Sequence, residues 1–537
     1  MNDTRVIIVG AGPVGLTLSL ALADLGVNCI LLEKNDTPSG LPKMERCNAR
    51  TMEIYRRLGI VDDIRAAGLP EECPMDVFVV TRLVDEPILR LPYGSVKECK
   101  ADIAAHNDGT RTLEPYQLIS QYTLEPLLKK FAEQSEYIDV RFGHEFIKFD
   151  DKGDHVSVQV KKTDGTDITL TADYLVGCDG GASPVRKQLG IKLNGDGEML
   201  SLHQALFRCD DLYERIPIGK GRHYHVCDEK SGFVIVQDDT KHFTFHAVVD
   251  DESDMTKRFE EVVGMPIEFE TLYIGKWTQR LLVADRYCEG RVLIAGDAAH
   301  LVIPTGGLGM NTGVGDVIDL AWKLQGTLAG WGGEQLLKSY LSERRQIGAR
   351  NVAASGRANA GRYRWRSQWK PEIRDRTPEG AEIRRKVAEI ADVEQRKTNE
   401  ILGIEAGYRY VDSPLIWSEP GEGPDPDRQD YIPTTWPGFR LPHVWLKDGS
   451  AIQDRIGKGY TLLRFDNEEI DLSELINQFE NSGAPFDVLS LDDPHAVEVY
   501  EGYKLFLLRP DIHIIWRGNA PPDDPALLIS IATGHNN

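Results

Sequence analysis

Apolar positions near the N-terminus follow two patterns in turn. A short apolar run from Val6 to Val9 is followed by a glycine-rich turn, an apolar stretch over Leu16 to Leu25, and a second short run from Cys29 to Leu32. Short continuous runs favour buried strands, and a longer apolar stretch between two of them favours a helix packed on the sheet. The pattern therefore predicts a strand–helix–strand unit at the start of an α/β domain.

The same stretch allows a second interpretation, a signal or membrane helix, because Val6 to Ala23 contains no charged residue. Its interior argues against this interpretation. Glycine occurs at positions 10, 12 and 15, Arg5 is the only basic flank, and another strand-like run follows directly. We therefore expect no membrane segment and no membrane partner.

The spacing of the glycines indicates a dinucleotide-binding βαβ unit. Gly10 makes the tight turn after the strand, Gly12 lets a pyrophosphate approach the backbone, and Gly15 lets helix and strand pack closely. Glu33 ends the second strand, where a carboxylate can accept a hydrogen bond from an adenosine ribose. The alternative is a glycine-rich turn in an unrelated α/β fold. The predicted cofactor contacts in this segment are Gly10, Gly12, Pro13, Val14, Gly15, Glu33 and Lys34.

A second glycine-rich stretch, residues 291–323, reads as strand, turn, loop and helix. The apolar run Val292 to Ala295 ends at Gly296 and Asp297, and helical spacing of apolar residues begins at Val314. Glycines at 306, 307, 309, 313 and 315 let the backbone approach a ligand closely, at a cost in chain entropy. The helix N-terminus that follows favours negative charge. The predicted cofactor contacts here are Gly296, Asp297, Pro304, Gly309, Met310 and Asn311.

A third loop of the same kind follows the strands of residues 138–176, which include a hairpin turn at Asp164-Gly165. A strand delivers Asp179 to a glycine turn, and a helix opens at Ser183-Pro184, an N-cap followed by a first-turn proline. We predict Asp179 and Arg186 as further cofactor contacts.

Charge and cysteine content narrow the function classes. The formal net charge of −22 is spread along the 537 residues, which makes nucleic acid an unfavourable partner. The eight cysteines contain no Cys-x-x-Cys pair, which is typical of scattered thiols in a reducing cytoplasm and argues against dithiol chemistry and structural zinc. We expect a cytoplasmic protein without a metal site.

The three loops together resemble the class A flavin-dependent aromatic hydroxylases, of the phenol hydroxylase and 3-(3-hydroxyphenyl)propionate hydroxylase type. The family's glycine fingerprint matches Gly10 through Glu33, its Asp-Gly motif matches Asp179 through Arg186, and its Gly-Asp motif matches Gly296 through Asn311. The combination is specific, and the resemblance covers nearly the whole chain. The tail is similar to the thioredoxin-like C-terminal domain of the larger members.

Two positions depart from the family pattern. Lys43 stands where the family usually has arginine, seven residues before Arg50, so Arg46 is a candidate for that role. Lys43, Arg46 and Arg50 could clamp a pyrophosphate or a nicotinamide nucleotide, or could be a solvated basic helix start. The family's frequent double proline is Ile303-Pro304 here.

The resemblance implies an α/β architecture in which a Rossmann-like FAD-binding domain carries an inserted antiparallel-sheet substrate domain, followed by a helical region and a thioredoxin-like α/β domain. Residues 93–112 are expected to form a polar loop, and residues 200–290 strands without long helices. The expected bounds are 1–75, 110–190 and 285–350 for the FAD-binding domain, 76–109 and 191–284 for the substrate domain, 351–413 for the helical region, 414–442 for a linker, and 443–537 for the C-terminal domain.

The activity implied by the resemblance is hydroxylation of a phenolic aromatic substrate with O2. NADPH or NADH reduces FAD, the reduced flavin forms a hydroperoxide, and its distal oxygen is transferred to the ring. Glu33 and Asp297 would bind the ribose and the ribityl chain, and Gln121 is either a helix-start residue or a donor to the polar edge of the flavin. Two other functions stay open: Baeyer–Villiger or quinone-type oxygenation, and flavin binding without catalysis. A homodimer is expected.

The substrate is expected between the sheet of residues 200–290 and the Pro304 loop. A phenolic hydroxyl needs a base or a hydrogen-bond acceptor, and the candidates are His223, Tyr224, His225 and Glu45. Each His or Tyr could equally be a packed sheet residue. The negative net charge favours a substrate with at most one carboxylate unless Lys43 or an arginine faces the pocket. The candidate catalytic residues are His225, Tyr224, Glu45 and Pro304.

Overall fold

The computed structural model of the chain describes residues 2–230, 232–467 and 469–536. In chain order the strands are β1 (Thr4–Val9), β2 (Cys29–Leu32), β3 (Arg46–Cys47), β4 (Val77–Val80), β5 (Leu89–Leu91), β6 (Gln117–Leu118), β7 (Ile138–Arg141), β8 (His144–Asp151), β9 (Val156–Lys162), β10 (Asp167–Gly177), β11 (Leu193–Asp196), β12 (Ser201–Arg208), β13 (His223–Val226), β14 (Gly232–Val236), β15 (His242–Ala247), β16 (Glu270–Thr278), β17 (Leu281–Ala284), β18 (Cys288–Glu289), β19 (Val292–Ile294), β20 (His300–Leu301), β21 (Tyr460–Arg464), β22 (Phe486–Ser490), β23 (Leu505–Leu508) and β24 (Ile514–Gly518).

The α-helices alternate with these strands. In chain order they are α1 (Pro13–Asp24), α2 (Ala49–Arg57), α3 (Val61–Ala67), α4 (Val96–Ala105), α5 (Gln121–Glu133), α6 (Pro184–Gln188), α7 (Leu212–Arg215), α8 (Asp254–Val263), α9 (Gly309–Ala329), α10 (Glu334–Arg366), α11 (Pro378–Asn399), α12 (Leu402–Ala406), α13 (Ile452–Arg455), α14 (Ser473–Asn481), α15 (Pro494–Val499) and α16 (Pro525–Thr533).

The first sheet has the order β18-β19-β10-β1-β2-β7, with β9 and β8 extending it from β10. Strand β1 lies in the middle, is parallel to β10 and β2, and is almost entirely buried. Helix α1 packs beside α9 and α5 to cover the sheet. Because parallel strands end at the same edge, the turns after β1, β2, β10 and β19 meet there, which is where α/β sheets bind ligands.

The second sheet has the order β16-β12-β15-β14-β13-β4-β5, antiparallel except for the pair of β13 and β4. One face packs against α8 around Phe207, Tyr224 and Phe245, and the other faces a cavity. The expected absence of a long helix in residues 200–290 is wrong, because α8 spans 10 residues. Its buried side chains, Met255, Arg258, Phe259, Val262 and Val263, cover the sheet face that the cavity does not use.

The polar loop expected at residues 93–112 is also wrong, because α4 lies within it. Ser95 and Glu98 form a capping box: Ser95 Oγ accepts from the Glu98 amide at 3.2 Å, and Glu98 Oε2 accepts from the Ser95 amide at 2.8 Å. This reciprocal pair satisfies two amides at a helix start. The Ser-x-x-Glu spacing was the signal in the sequence.

The remaining chain forms a helical region and a small sheet. Helices α10, α11 and α12 follow the first sheet, and residues 414–442 contain neither helix nor strand. The last sheet has the order β22-β21-β23-β24, with β21 parallel to β22 and antiparallel to β23. The βαβ unit and the following ββα unit share one sheet, so the thioredoxin-like fold of the tail is confirmed.

A buried ion network joins this C-terminal sheet to the first domain. Arg509 donates to Asp319 on α9 at 2.6 Å, to Glu343 on α10 at 2.7 Å, and to Asp511 at 2.8 Å. Lys323 donates to Asp319 and Glu343 from the same helix as Asp319. All five side chains are buried. Buried charges are stable only when they are paired in this way, so the network fixes α9 and α10 against the C-terminal domain.

Candidate functional site

A cavity of about 680 Å³ lies between the carboxyl edge of the first sheet and the open face of the second. Its volume falls within the range of small-molecule sites. Most of the residues predicted from the three loops share it. Those that line it are Gly10, Gly12, Pro13, Val14, Glu33, Lys34, Glu45, Arg46, Gln121, Asp179, His225, Asp297, Pro304, Gly309, Met310 and Asn311.

The first glycine turn presents open backbone to this cavity. A Cβ built on Gly12 would meet only Glu125 Oε1, at 3.8 Å. Gly12 is the N-cap of α1 and supplies no side-chain cap, so the first amides of the helix stay available to a ligand. Uncapped helix amides of this kind bind phosphate. Glu33 ends β2 beside the turn and accepts from the Ala11 amide at 3.0 Å. This end fits the pyrophosphate and ribose of a dinucleotide.

Asp297 enters the cavity from a 3-10 turn, Gly296–Ala298. Gly296 has φ 61°, a left-handed conformation that favours glycine. The surrounding protein raises the pKa of the Asp297 carboxyl by burial, against the lowering effect of His300 and Lys43. A bound polyol would supply the hydrogen bonds that this carboxyl does not receive from the protein. The position therefore fits the ribityl chain of a flavin.

The second glycine loop lies directly after Asp297 along the cavity. Gly306 and Gly307 both have positive φ, and the Gly307 amide donates to the Pro304 carbonyl at 2.9 Å. Asn311 fastens the loop, because its Nδ2 donates to the Gly307 carbonyl at 2.6 Å and its Oδ1 accepts from the Asn48 amide at 2.9 Å. Helix α9 begins at Gly309 without a side-chain cap. The loop therefore presents backbone amides to a planar anionic ring system.

The three basic residues before α2 have separate positions. Arg46 lines the cavity and donates to the Gly306 carbonyl at 2.7 Å and to Glu405 at 2.6 Å. Lys43 lines the cavity and is exposed, and its ammonium group has no hydrogen-bond or ion-pair partner in the described part of the chain. Arg50 is buried outside the cavity, where it donates to the Asp511 carbonyl at 3.0 Å. Arg50 therefore does not contribute to a clamp around a pyrophosphate or a nicotinamide nucleotide in this cavity.

Gln121 is the first residue of α5, and its side-chain amide already has a hydrogen-bond partner. Its Nε2 donates to Glu125 Oε1 at 2.6 Å, while Glu125 Oε2 accepts from the Ser39 amide at 3.1 Å. Burial raises the pKa of the Glu125 carboxyl despite these two donors. The pair forms a polar wall beside the first glycine turn. The predicted role of Gln121 as a donor to the cofactor stays a prediction.

Three predicted cofactor contacts lie behind the cavity wall. A Cβ on Gly15 would stand 2.0 Å from the Gly10 carbonyl oxygen, so Gly15 serves the packing of α1 on β1. Gly296 turns the chain beneath Asp297. Arg186 donates to the Ala298 carbonyl at 3.0 Å and to the Gly181 carbonyl at 2.9 Å, which ties the Asp179 loop to the Asp297 turn. All three support the cavity without lining it.

Tyr224 does not face the cavity, which corrects its assignment as a catalytic candidate. Its ring stacks on Phe78 at 5.1 Å, and its hydroxyl donates to the Gly219 carbonyl at 3.0 Å and accepts from the Gly221 amide at 2.9 Å. Side chains of a strand alternate between faces. Because His223 and His225 line the cavity, Tyr224 between them belongs to the core.

Glu45 and His223 lie against each other at the substrate end. His223 Nε2 lies 3.3 Å from Glu45 Oε1. Burial lowers the pKa of His223. Burial alone would raise the pKa of Glu45, but His223 and the charges of Arg46 and Arg222 lower it to about 2. Glu45 is therefore a carboxylate at any pH at which the protein works, and such a group can accept a hydrogen bond from a phenol.

His225 is a buried, neutral imidazole on the cavity wall. Burial lowers its pKa well below the ordinary value, and the charges of Arg362, His223, Arg366 and Arg222 lower it further. Its Nδ1 has no hydrogen-bond partner in the described part of the chain. A neutral ring with an unpaired nitrogen can bind a substrate hydroxyl.

Several cavity residues were not predicted from the sequence. They come from strands and helices that carry no glycine motif, so periodicity alone gave no signal for them. Phe233 stacks on His246 at 4.4 Å, and Trp277 Nε1 donates to His246 Nδ1 at 3.2 Å. These unpredicted lining residues include Gln204, Arg222, Phe233, Gln237, Thr244, His246, Trp277, Arg362 and Asn399.

Comparison with known proteins agrees with this geometry. The FAD binding domain family matches residues 3–355, and the aromatic-ring hydroxylase C-terminal family matches residues 434–532. The FAD-dependent monooxygenase apdD of Emericella nidulans is 33% identical, over 97% of this chain and 88% of its own length. Aklavinone 12-hydroxylase RdmE of Streptomyces purpurascens is 30% identical, over 98% of both chains. The rebeccamycin biosynthetic enzyme RebC with reduced flavin has a TM-score of 0.89 and 31% identity, over 99% of both chains.

The fold and the cavity together define an FAD-binding enzyme. The chain belongs to the family of FAD-dependent aromatic hydroxylases, as the resemblance implied, and the predicted fold class is confirmed. It is a flavin-dependent monooxygenase. Within residues 2–230, 232–467 and 469–536, no helix has the length and apolar character needed to cross a bilayer.

Proposed function

We propose that the protein hydroxylates a phenolic aromatic substrate, using O2 and either NADPH or NADH. The observation that carries the proposal is that one cavity is lined both by the turns at Gly12 and Asp297, which are the proposed flavin contacts, and by Glu45, His223 and His225. Relatives named polyketide hydroxylase and 4-methyl-5-nitrocatechol 5-monooxygenase, at 31% and 27% identity, support an aromatic substrate. FAD, when bound and reduced, supplies the activation of O2.

The residues of the chain would hold the substrate ring and control its proton. Phe233, His246 and Trp277 form an aromatic wall that excludes water and packs against a ring. The Glu45 carboxylate, beside His223, would accept a hydrogen bond from the phenolic hydroxyl, which increases the electron density of the oxygen and makes the ring more nucleophilic. His225 would hold the hydroxyl in place as a neutral hydrogen-bonding group.

The test is substrate-stimulated oxidation of NADPH or NADH by the purified holoenzyme. Phenolic acids, resorcinols and polycyclic phenols are screened, and products formed under isotopically labelled O2 are analysed by mass. A labelled hydroxyl on an aromatic carbon is the expected product. Label inserted beside a carbonyl, with only ketones accepted, would instead establish Baeyer–Villiger chemistry. FAD binding with no stimulated oxidation by any compound would contradict an oxygenase.

The flavin-binding role of Asp297 has its own test. We expect Asp297→Ala to lower the FAD content of the purified protein and to weaken FAD binding by about tenfold or more, since a hydrogen bond to a charged group contributes roughly 1.5–3 kcal/mol. The exposed Asp250 provides the control, because Asp250→Ala should leave FAD content unchanged. Full occupancy in Asp297→Ala would exclude Asp297 from flavin binding.

We also propose a two-fold dimer. Tyr363 and Val393 on the helical region, and Val488 and Leu527 on the C-terminal domain, are large apolar side chains that stay exposed in the single chain. A closed dimer is the commonest way to cover such surface. Light scattering at micromolar concentration should give twice the mass of the chain, and a monomer under those conditions would contradict the proposal.

A further inference from the structure

Helix α10 carries a stripe of polar residues that contacts α9 and the loop before Pro304. Arg344 donates to Asp316 at 2.9 Å, Asn351 donates to Thr312 at 2.8 Å, and Ser355 donates to the Ile303 carbonyl at 2.8 Å. Arg344, Asn351 and Ser355 are seven and then four residues apart, which places them on one face of the helix. The same face continues to Arg362, which lines the cavity.

Arg362 differs from the other members of this stripe because its guanidinium has no bonded partner. The guanidinium has no hydrogen-bond or ion-pair partner in residues 2–230, 232–467 and 469–536, and its Nε is buried without a partner. It lies 5.2 Å from the centre of the Phe233 ring. Burial, and then the charge of Arg366, lower its pKa to about 9 against the raising effect of the Glu45 charge, so it keeps its proton at neutral pH.

The other arginines of the cavity already have partners. Arg46 pairs with Glu405 at 2.6 Å. Arg222 donates to Asn399 and adds to the positive charge around Glu45. Arg280 donates to the Gly197 carbonyl at 3.2 Å. Among the four arginines that line the cavity, Arg362 is therefore the partly buried cation whose side chain has no hydrogen bond or ion pair in the described part of the chain, so its guanidinium is available to a ligand.

We propose that Arg362 binds a carboxylate carried by the aromatic substrate. A guanidinium presents a planar fork that matches the two oxygens of a carboxylate. Phe233 and His225 beside it would contact the ring that bears the carboxylate. The inference rests on the proposed function, since it names a class of substrate for that site: an aromatic acid rather than a neutral phenol.

The position of Arg362 along α10 separates it from the Pro304 loop. Ser355 contacts the Ile303 carbonyl next to Pro304, and Arg362 lies seven residues further on. Seven residues of α-helix rise about 10 Å along the helix axis. We therefore expect an acid with two rings to be a better probe of this site than an acid with one ring.

The experiment is a binding titration of the FAD-loaded enzyme, followed by the change in flavin absorption. The probes are a hydroxybiphenyl carboxylic acid, a single-ring hydroxybenzoic acid, and the methyl ester of each. The wild type should bind the two-ring acid about tenfold or more tightly than its methyl ester, because a charge-assisted pair contributes more than one factor of ten in affinity. The single-ring acid, which carries the same carboxylate, should bind more weakly than the two-ring acid and more tightly than its own methyl ester. Equal affinity for acid and ester, or no response to the acid up to its solubility limit, would overturn the proposal.

Variants separate binding by Arg362 from a structural role. Arg362→Met should weaken binding of the acid by about tenfold to a hundredfold, while the affinity for the ester should change by less than about threefold. Arg362→Lys should recover part of the lost affinity for the acid. Arg357→Met removes an exposed arginine of the same helix and should change neither affinity. FAD content and melting temperature should stay the same in all three. If Arg362→Met bound the acid and the ester more weakly by the same factor, the proposal would be overturned. It would also be overturned if the KM for NADPH rose while the ratio of the affinities for acid and ester stayed the same.

Product analysis separates this inference from the proposed function. If the two-ring acid binds through Arg362 but is never hydroxylated, the carboxylate site stands and the hydroxylase proposal fails. Suppose instead that the wild type and Arg362→Met hydroxylate neutral phenols equally well and bind acids with equal affinity. The carboxylate site then fails and the hydroxylase proposal stands.

Discussion

His300 Nε2 lies 2.7 Å from Asp316 Oδ2, and both side chains are fully buried beneath the turn that carries Asp297. The same carboxylate oxygen accepts from the Gly296 amide at 3.1 Å, and Oδ1 accepts from Arg344 Nε at 2.9 Å. Asp316 therefore fastens the turn that carries Asp297 to α9, on which it lies, and to α10. Its three partners come from the 3-10 turn (Gly296), from β20 (His300) and from α10 (Arg344), so its loss should affect both stability and flavin binding.

We expect Asp316→Ala to lower the free energy of unfolding by about 3–5 kcal/mol, because it leaves the guanidinium of Arg344 buried without its partner. FAD affinity should fall as well, since the Gly296 amide loses its acceptor. Denaturant unfolding and flavin titration measure the two effects. A loss below about 1 kcal/mol would show that Asp316 does not hold the turn.

The pH dependence of the same variant gives a second check. Burial alone would raise the pKa of Asp316, but His300 and Arg344 lower it below its ordinary value. The stability that such a carboxylate contributes is complete above its unfolded-state pKa of about 3.9 and is lost as pH falls through the lower folded-state pKa. Asp316→Ala should therefore lose less stability than the wild type below about pH 4. Parallel acid unfolding curves would contradict this linkage.

Gly15→Ala should disrupt the first glycine turn. The new Cβ would stand 2.0 Å from the Gly10 carbonyl oxygen, so helix α1 must move away from β1. Overpacking of this kind costs about 1–3 kcal/mol, and the shift of the turn should weaken FAD binding. Gly40 is the control, because a Cβ there meets no atom within 4 Å. Equal FAD affinity in Gly15→Ala and Gly40→Ala would show that the close approach is not needed.

His225 and Tyr224 are adjacent residues with opposite expected effects. His225→Phe should lower kcat/KM for the substrate by about tenfold or more, since it removes a hydrogen-bonding group from the cavity wall. Tyr224→Phe should leave kcat/KM unchanged and lower stability by about 1 kcal/mol, because the partners of its hydroxyl among the described residues are the backbone groups of Gly219 and Gly221. The reverse result would place the tyrosine in the site.

Arg509→Met should loosen the C-terminal domain. Its removal leaves Asp319, Glu343 and Asp511 buried with Lys323 as the remaining cation of the network, a loss of about 3–5 kcal/mol. Limited proteolysis should then cleave the segment near residues 414–442 faster than in the wild type. The exposed Arg455, which pairs with Asp448, is the control, because a surface pair contributes about 1 kcal/mol or less. Unchanged proteolysis in Arg509→Met would contradict docking through this network.

The sequence by itself determined the flavin-binding end of the molecule. Gly10, Gly15 and Gly296 are needed because the backbone there is tightly turned or closely approached, and these are local steric demands that fix residue type and spacing. The strand before each turn is a short apolar run, so the order strand, turn, helix could be read directly. The family and the fold class followed from three such local patterns in one chain.

The substrate end was decided by tertiary structure. Period-two alternation says that His225 and Tyr224 face opposite ways, but only the packing of α8 on the second sheet shows which of them meets the cavity. Arg362 lies more than a hundred residues from Phe233, in a charged helix whose sequence shows no marked face. Its role depends on which side of α10 meets the sheet, and that is set by contacts between distant segments rather than by local sequence.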